Sequence, residues 1–138
     1  MNQVPAIEGV SHDWHNLSHH GLDPEKIEEL KLIEVAEFRA FAEFLAKLKT
    51  TQENGRALLD QTAVLYGSNL GNASAHSTAN LPLLLAGGGY RHGQHLAFDA
   101  KNNAPFANLF VALAQRMGVE TDKFGYSTAA GIPGLDLA

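Results

Sequence analysis

Four of the seven histidines in this chain fall between positions 12 and 20, in the stretch SHDWHNLSHHG, and theirs is the chemistry to account for first. His12, His15 and His19 recur at i, i+3 and i+7, so on a helix of about 3.6 residues per turn their rings share one sector of the surface. His20 completes the cluster. Neutral imidazole nitrogens are common ligands for zinc and similar ions, and three from one short segment leave a coordination position open. The same rings also suit a plainer role, hydrogen bonding and packing around Trp14, and His-x-x-His is a weak motif by itself. With no cysteine in the chain, metal-ligand chemistry is confined to His, Asp, Glu and hydroxyl or amide oxygens.

A second polar stretch, YGSNLGNASAH at 66–76, follows an apolar run. Ligands of open α/β sheets gather beyond the carboxyl ends of strands, which makes Ser68, Asn69, Asn72 and His76 candidates for a site. The alternative is an ordinary Gly, Asn and Ser loop that only turns the chain. The glycine run 87–89 lacks a following helix, and without that dipole a strand-end turn is the better reading than a phosphate cradle. His92 and His95 are read as surface residues. Asn16-Leu17-Ser18 and Asn72-Ala73-Ser74 match the glycosylation acceptor, a pattern that carries weight only in a secreted chain.

These residues need elements to hold them. Asp23-Pro24 announces a helix, since Asp caps free amides and Pro suits the first turn. Apolar positions from Ile27 through Leu48, including Ile33, Phe38, Phe41 and Phe44, recur at helical spacing, and the helix is expected over 24–49. Its early glutamates and late Lys47 and Lys49 suit the helix dipole. A short helical or turn segment is expected over 56–60. The runs TAVLYG at 62–67 and LPLLLA at 81–86 read as strands whose continuous apolar character fits a parallel sheet covered on both faces. A short strand is expected over 95–98. Phe106, Leu109, Phe110, Leu113 and Met117 define a helical face, closed by Gly118 in the left-handed cap position. The last twenty residues should run over the surface. The expected fold class is α/β, a partial, mostly parallel sheet flanked by helices, with 1–138 forming a single unit. Two or three strands make a thin sheet for that length, so the unit is expected to be a fragment of a larger domain.

At 138 residues, 45% hydrophobic and 18% charged, the composition is that of one globular domain. A net charge of -5 without a basic stripe speaks against nucleic acid as a partner. No apolar run is long enough to cross a bilayer, and the first ten residues lack the charged and apolar regions of a signal peptide. An uncovered sheet edge predicts self-association into a homo-oligomer.

The order of strand, polar loop, His76, glycine-ended strand and helix over 62–118 resembles the carboxy-terminal part of the alkaline phosphatase and sulfatase superfamily. Closer still, SHHG at 18–21, LYGS at 65–68, AHS at 75–77, NLPLLLAGGG at 80–89, RMG at 116–118 and Phe124-Gly125 resemble an uncharacterised bacterial family, the domain of unknown function 1552. That resemblance spans from about His12 to Leu135. It implies that the chain is the carboxy-terminal portion of a longer, alkaline-phosphatase-like protein, exported to the periplasm or beyond, whose amino-terminal part supplies the nucleophile and the acidic ligands. Under it, His76 matches a metal-ligating histidine, while Ser68 and Asn69 stand where phosphatases carry an adjacent Asp and His. Asn69 can still offer an oxygen to a metal, whereas Ser68, a neutral hydroxyl, neutralises none of its charge. Three functions follow as expectations: a portion of a metal-dependent ester hydrolase using zinc or manganese, inactive alone; a non-catalytic binding or structural module that has lost its metal site; and a small metal-binding domain built on His12, His15 and His19.

Overall fold

The computed structural model describes residues 3–138 and divides the chain into two compact units. The first joins the chain up to Thr50 with the loop Ser68–Pro82, and the second joins Thr51–Gly67 with Leu83–Ala138.

In the first unit, α1 (Trp14–Ser18) opens at Asp13, whose carboxylate accepts the amide of Asn16 at 3.1 Å. Gly21, with φ 58, then reverses the chain. The carboxylate of Asp23 takes the Glu25 amide at 2.9 Å, and α2 (Pro24–Thr50) runs one residue past its expected end. Leu17 of α1 is fully buried and Ile33 of α2 nearly so, and among the described residues these two side chains are the core of this unit. Removing a leucine-sized side chain from water is worth about 1.5–3 kcal/mol, so so small a core fixes α1 but does not enclose a helix of 27 residues. Leu32, Val35, Phe38 and Phe44 accordingly remain exposed.

The second unit begins with a hairpin, β1 (Gln52–Glu53) and β2 (Arg56–Ala57), turned through Asn54 and Gly55 at φ 53 and 76. Two consecutive left-handed residues of this kind match the twist of the strands they join. The short helix α3 (Leu58–Gln61) follows, so the expected helical or turn segment is half strand and half helix. Then β3 (Ala63–Gly67) pairs with β4 (Leu83–Gly87).

That pairing corrects the expected fold. β3 and β4 are antiparallel, in a register that sets Ala63 opposite Gly87 and Gly67 opposite Leu83. The chain is mixed α and β, with two small antiparallel sheets and no parallel pair among the described residues. Parallel neighbours need a crossover, usually a helix, and the connection Ser68–Pro82 has none, only turns and an Asn72 to Ser77 bridge. A hairpin-like return is what such a loop permits. In such an antiparallel pair the segments that follow β3 and β4 leave from opposite ends of the ribbon. The strands are also half-buried along most of their length, with Leu84 exposed, where burial on both faces was expected.

Helix α4 (Ala107–Arg116) ends as expected at Met117 and Gly118, the latter at φ 82. Leu109 and Val111 form the core here with Tyr90, whose hydroxyl donates to the Ala112 carbonyl at 3.1 Å. Asn108 is a buried polar residue: its side-chain oxygen accepts the amides of Thr128 and Ala129 at 2.8 and 3.3 Å, fastening the terminal loop to the helix. Residues 95–98 form no strand, for no neighbouring segment pairs with them. The last residues do: Arg91 donates its amide to Asp136 at 2.9 Å and Ala138 donates to Gly89 at 3.0 Å. No helix among the described residues is long and apolar enough to cross a membrane.

Candidate functional site

The first unit brings three of the expected histidines together. Helix α1 carries His15, and His19 is its carboxy-terminal cap, its amide returning to the His15 carbonyl at 3.3 Å. The two rings meet edge to face with centroids 4.7 Å apart. The third ring belongs to His76, 4.8 Å from that of His19 and nearly perpendicular to it. The Nε2 atoms of His19 and His76 are 3.3 Å apart.

The loop is built to present that ring. His76 is one of four non-glycine residues with positive φ among the described residues, at 49°, a conformation bulky side chains rarely adopt. Its amide donates to the Ala73 carbonyl at 3.1 Å, and the side-chain oxygen of Asn72 takes the Ala75 amide at 3.0 Å. Beneath this turn, Gly71 lies so close to the Ala79 carbonyl that a Cβ would stand 1.9 Å from its oxygen. Ser74 ties the loop to the histidine stretch: its hydroxyl donates to the Ser18 carbonyl at 3.3 Å and accepts the Gly21 amide at 3.4 Å. Sequence reading noticed Ser74 only as part of a glycosylation pattern, because nothing local reveals a partner more than fifty residues away.

Burial lowers the pKa of His19, and the neighbouring charges that His15 and His76 could carry lower it further. The imidazole of His19 thus stays neutral to lower pH than a free one, which is the form that donates a lone pair.

The other expected residues go elsewhere. Because α1 begins only at Trp14, His12 lies outside it and off the shared face. Its Nδ1 is 3.1 Å from Glu29 on α2, whose carboxylate also accepts the amides of Ser11 and His12 and the Ser11 hydroxyl. These bonds pull Glu29 down to about 2, Ser11 contributing most. The ring of His20 turns back on its own backbone, Nδ1 accepting the Leu22 amide at 3.0 Å. The Ser68 hydroxyl accepts the Leu70 amide at 3.1 Å, a turn bond, and Asn69 is exposed with no hydrogen bond among the described residues. In the second unit His92 meets the Gly87 carbonyl at 3.0 Å, a structural contact.

As donors, His19 and His76 are a pair with His15 adjoining. Among the described residues, no group of three or more His, Asp, Glu or Cys side chains is placed to hold a metal ion. Compared with family models, with curated proteins and with solved structures, the chain matches none.

Proposed function

We propose that His19 and His76 are two ligands of a divalent metal ion, zinc or manganese, and that the chain acts as the carboxy-terminal portion of an alkaline-phosphatase-like ester hydrolase. One observation carries the metal reading. Two nitrogens each about 2.0–2.1 Å from a tetrahedral ion lie about 3.3–3.4 Å from one another, and the Nε2 atoms of His19 and His76 lie 3.3 Å apart. Without an ion the same spacing suits a hydrogen bond in which one ring donates and the other accepts, so the pair is stable in either state.

Two imidazoles are fewer than the ligands a protein site employs. The ring of His15 packs edge to face on that of His19, and the remaining donors would come from the amino-terminal part that the family resemblance implies. When bound, the ion polarises an ester oxygen and lowers the pKa of a nucleophile. The chain's own contribution is to hold His76 in its left-handed turn and to keep His19 neutral.

The placements of Ser68 and Asn69 favour a second reading of the same architecture, a binding module without a complete catalytic site. Ser68 is occupied by its own turn, and neither residue replaces an acidic ligand.

Titration of the purified chain with zinc or cobalt decides the metal reading. One equivalent should bind, with the cobalt spectrum of nitrogen ligation, and H76A should weaken it by about tenfold or more, as losing a ligand or its support does. Binding that is unchanged in both H19A and H76A would remove the pair from any metal chemistry. If metal binds, but the longer protein hydrolyses phosphate and sulfate esters equally well with and without His76, the module reading stands in place of the hydrolase.

A further inference from the structure

The second unit contains a cavity of about 230 Å³, open to solvent and lined by the exposed Arg56, Asp60, Gln61 and Arg116 and by Gly88, with Ala63 at the start of β3 and Met117 just after α4 beside it. Arg116 is held there by the glycine turn. Its Nε donates to the Gly88 carbonyl at 2.6 Å, and its Nη2 lies so close to Gly89 that a Cβ there would stand 2.4 Å from it, so a side chain at position 89 would displace the guanidinium. With Nε engaged and the plane fixed, the terminal nitrogens are left as oriented donors. None of the three ion pairs among the described residues includes Arg116, Arg56 or Asp60. Two guanidiniums without carboxylate partners therefore share one cavity with a single carboxylate.

The geometry points to a binding site for a protonated oxyanion, inorganic phosphate or a phosphate monoester, at Arg56, Arg116 and Asp60. Planar guanidinium donors match tetrahedral oxyanions, and a fixed guanidinium loses less freedom on binding than a mobile one. Asp60 sharpens the choice. A fully ionised anion such as sulfate offers the Asp60 carboxylate only lone pairs and is repelled, whereas a hydrogen phosphate can donate its remaining proton to it. Gln61 supplies either hydrogen-bonding role at the rim. The site is independent of the histidine pair and needs no metal.

Calorimetric titration of the whole chain with sodium phosphate and with sodium sulfate, in the presence of a chelator, tests this. Phosphate should bind saturably and sulfate more weakly, because sulfate has no proton to donate to the Asp60 carboxylate. Arg56 is exposed and takes part in the hairpin only through its backbone, so R56A should fold and weaken phosphate by about tenfold. D60N should erase the preference by admitting sulfate. H76A should bind phosphate as the unaltered chain does. No saturable phosphate binding, equal affinity for the two anions, or an R56A isotherm identical to that of the unaltered chain would overturn the assignment. Loss of binding in H76A would overturn it too, by placing the anion at the histidines.

Discussion

The two turns that leave the ribbon differ in composition and in use. The loop Ser68–Pro82 spends its hydrogen bonds inward, on Asn72, Ala73 and Ser77, so that one side chain, His76, is held out. The turn at Gly87 to Gly89 does the reverse: it has no side chains to offer and presents three carbonyls. Gly87 receives the ring of His92, Gly88 the guanidinium of Arg116 and Gly89 the amide of Ala138. A left-handed residue with a side chain holds a ring out; three left-handed glycines build an anchor. Loss of the first should have little effect on the fold, and loss of the second a large one.

The sharpest way to break that contrast is at the anchor. G87A places a Cβ 2.3 Å from the carbonyl oxygens of both Leu59 and Thr62, in a residue at φ 72. Left-handed backbone and overpacking together cost about 3 kcal/mol or more, and urea denaturation should show the midpoint fall accordingly. The comparable substitution in the other turn, G71A, also forces backbone apart, but the loss should concentrate in the loop. The metal binding proposed at His76 would vanish, whereas the near-ultraviolet signal of Tyr90 would be retained.

A middle-sized effect separates side-chain anchoring in the two units. N108A leaves the Thr128 and Ala129 amides without their acceptor, at about 1–3 kcal/mol. S74A removes two longer, exposed bonds and should cost about 1 kcal/mol or less, with its main consequence in weaker metal binding as His76 loses its hold on the histidine stretch. Hydrogen exchange distinguishes them. The terminal loop should open in the first variant, and residues 72–77 in the second.

Local signals made the helices legible. Asp23-Pro24 fixed the start of α2 by capping chemistry, and periodicity with Gly118 fixed the end of α4, because each is decided within a turn or two of chain. The strands were legible only as strands. Continuous apolar character reports what surrounds a segment and not which way its neighbour runs, so the antiparallel pairing of β3 and β4 had no signature in 62–67 or 81–86. The histidine spacing failed for a related reason: it assumed a helix reaching from His12 to His19, and the Asp13 cap starts it in between. The nearness of His76 to His19, and the role of Ser74 in it, arise from contacts across more than fifty residues and left no local trace.

The smallest effect concerns the histidine that the pair does not include. His12 is drawn off to Glu29, and the four donors of Ser11 and His12 hold that carboxylate at about 2, below its ordinary 4.5. A lowered carboxylate pKa means that the unfolded chain binds the proton more readily than the folded one. The stabilisation is therefore complete above pH 4.5 and fades as pH falls from there toward 2, where the folded carboxylate itself takes up the proton. E29Q should remove that acid-dependent component: its stability between pH 4.5 and 2 should fall less steeply than that of the unaltered chain, and at neutral pH it should be modestly lower, because the amide group cannot accept from all four donors. Zinc titration of E29Q then sharpens the comparison between the histidines. If His12 belongs to the Glu29 staple alone, its release leaves the affinity at His19 and His76 unchanged; a tighter site would show that the freed ring joins them and that the staple competes with the metal for a third ligand.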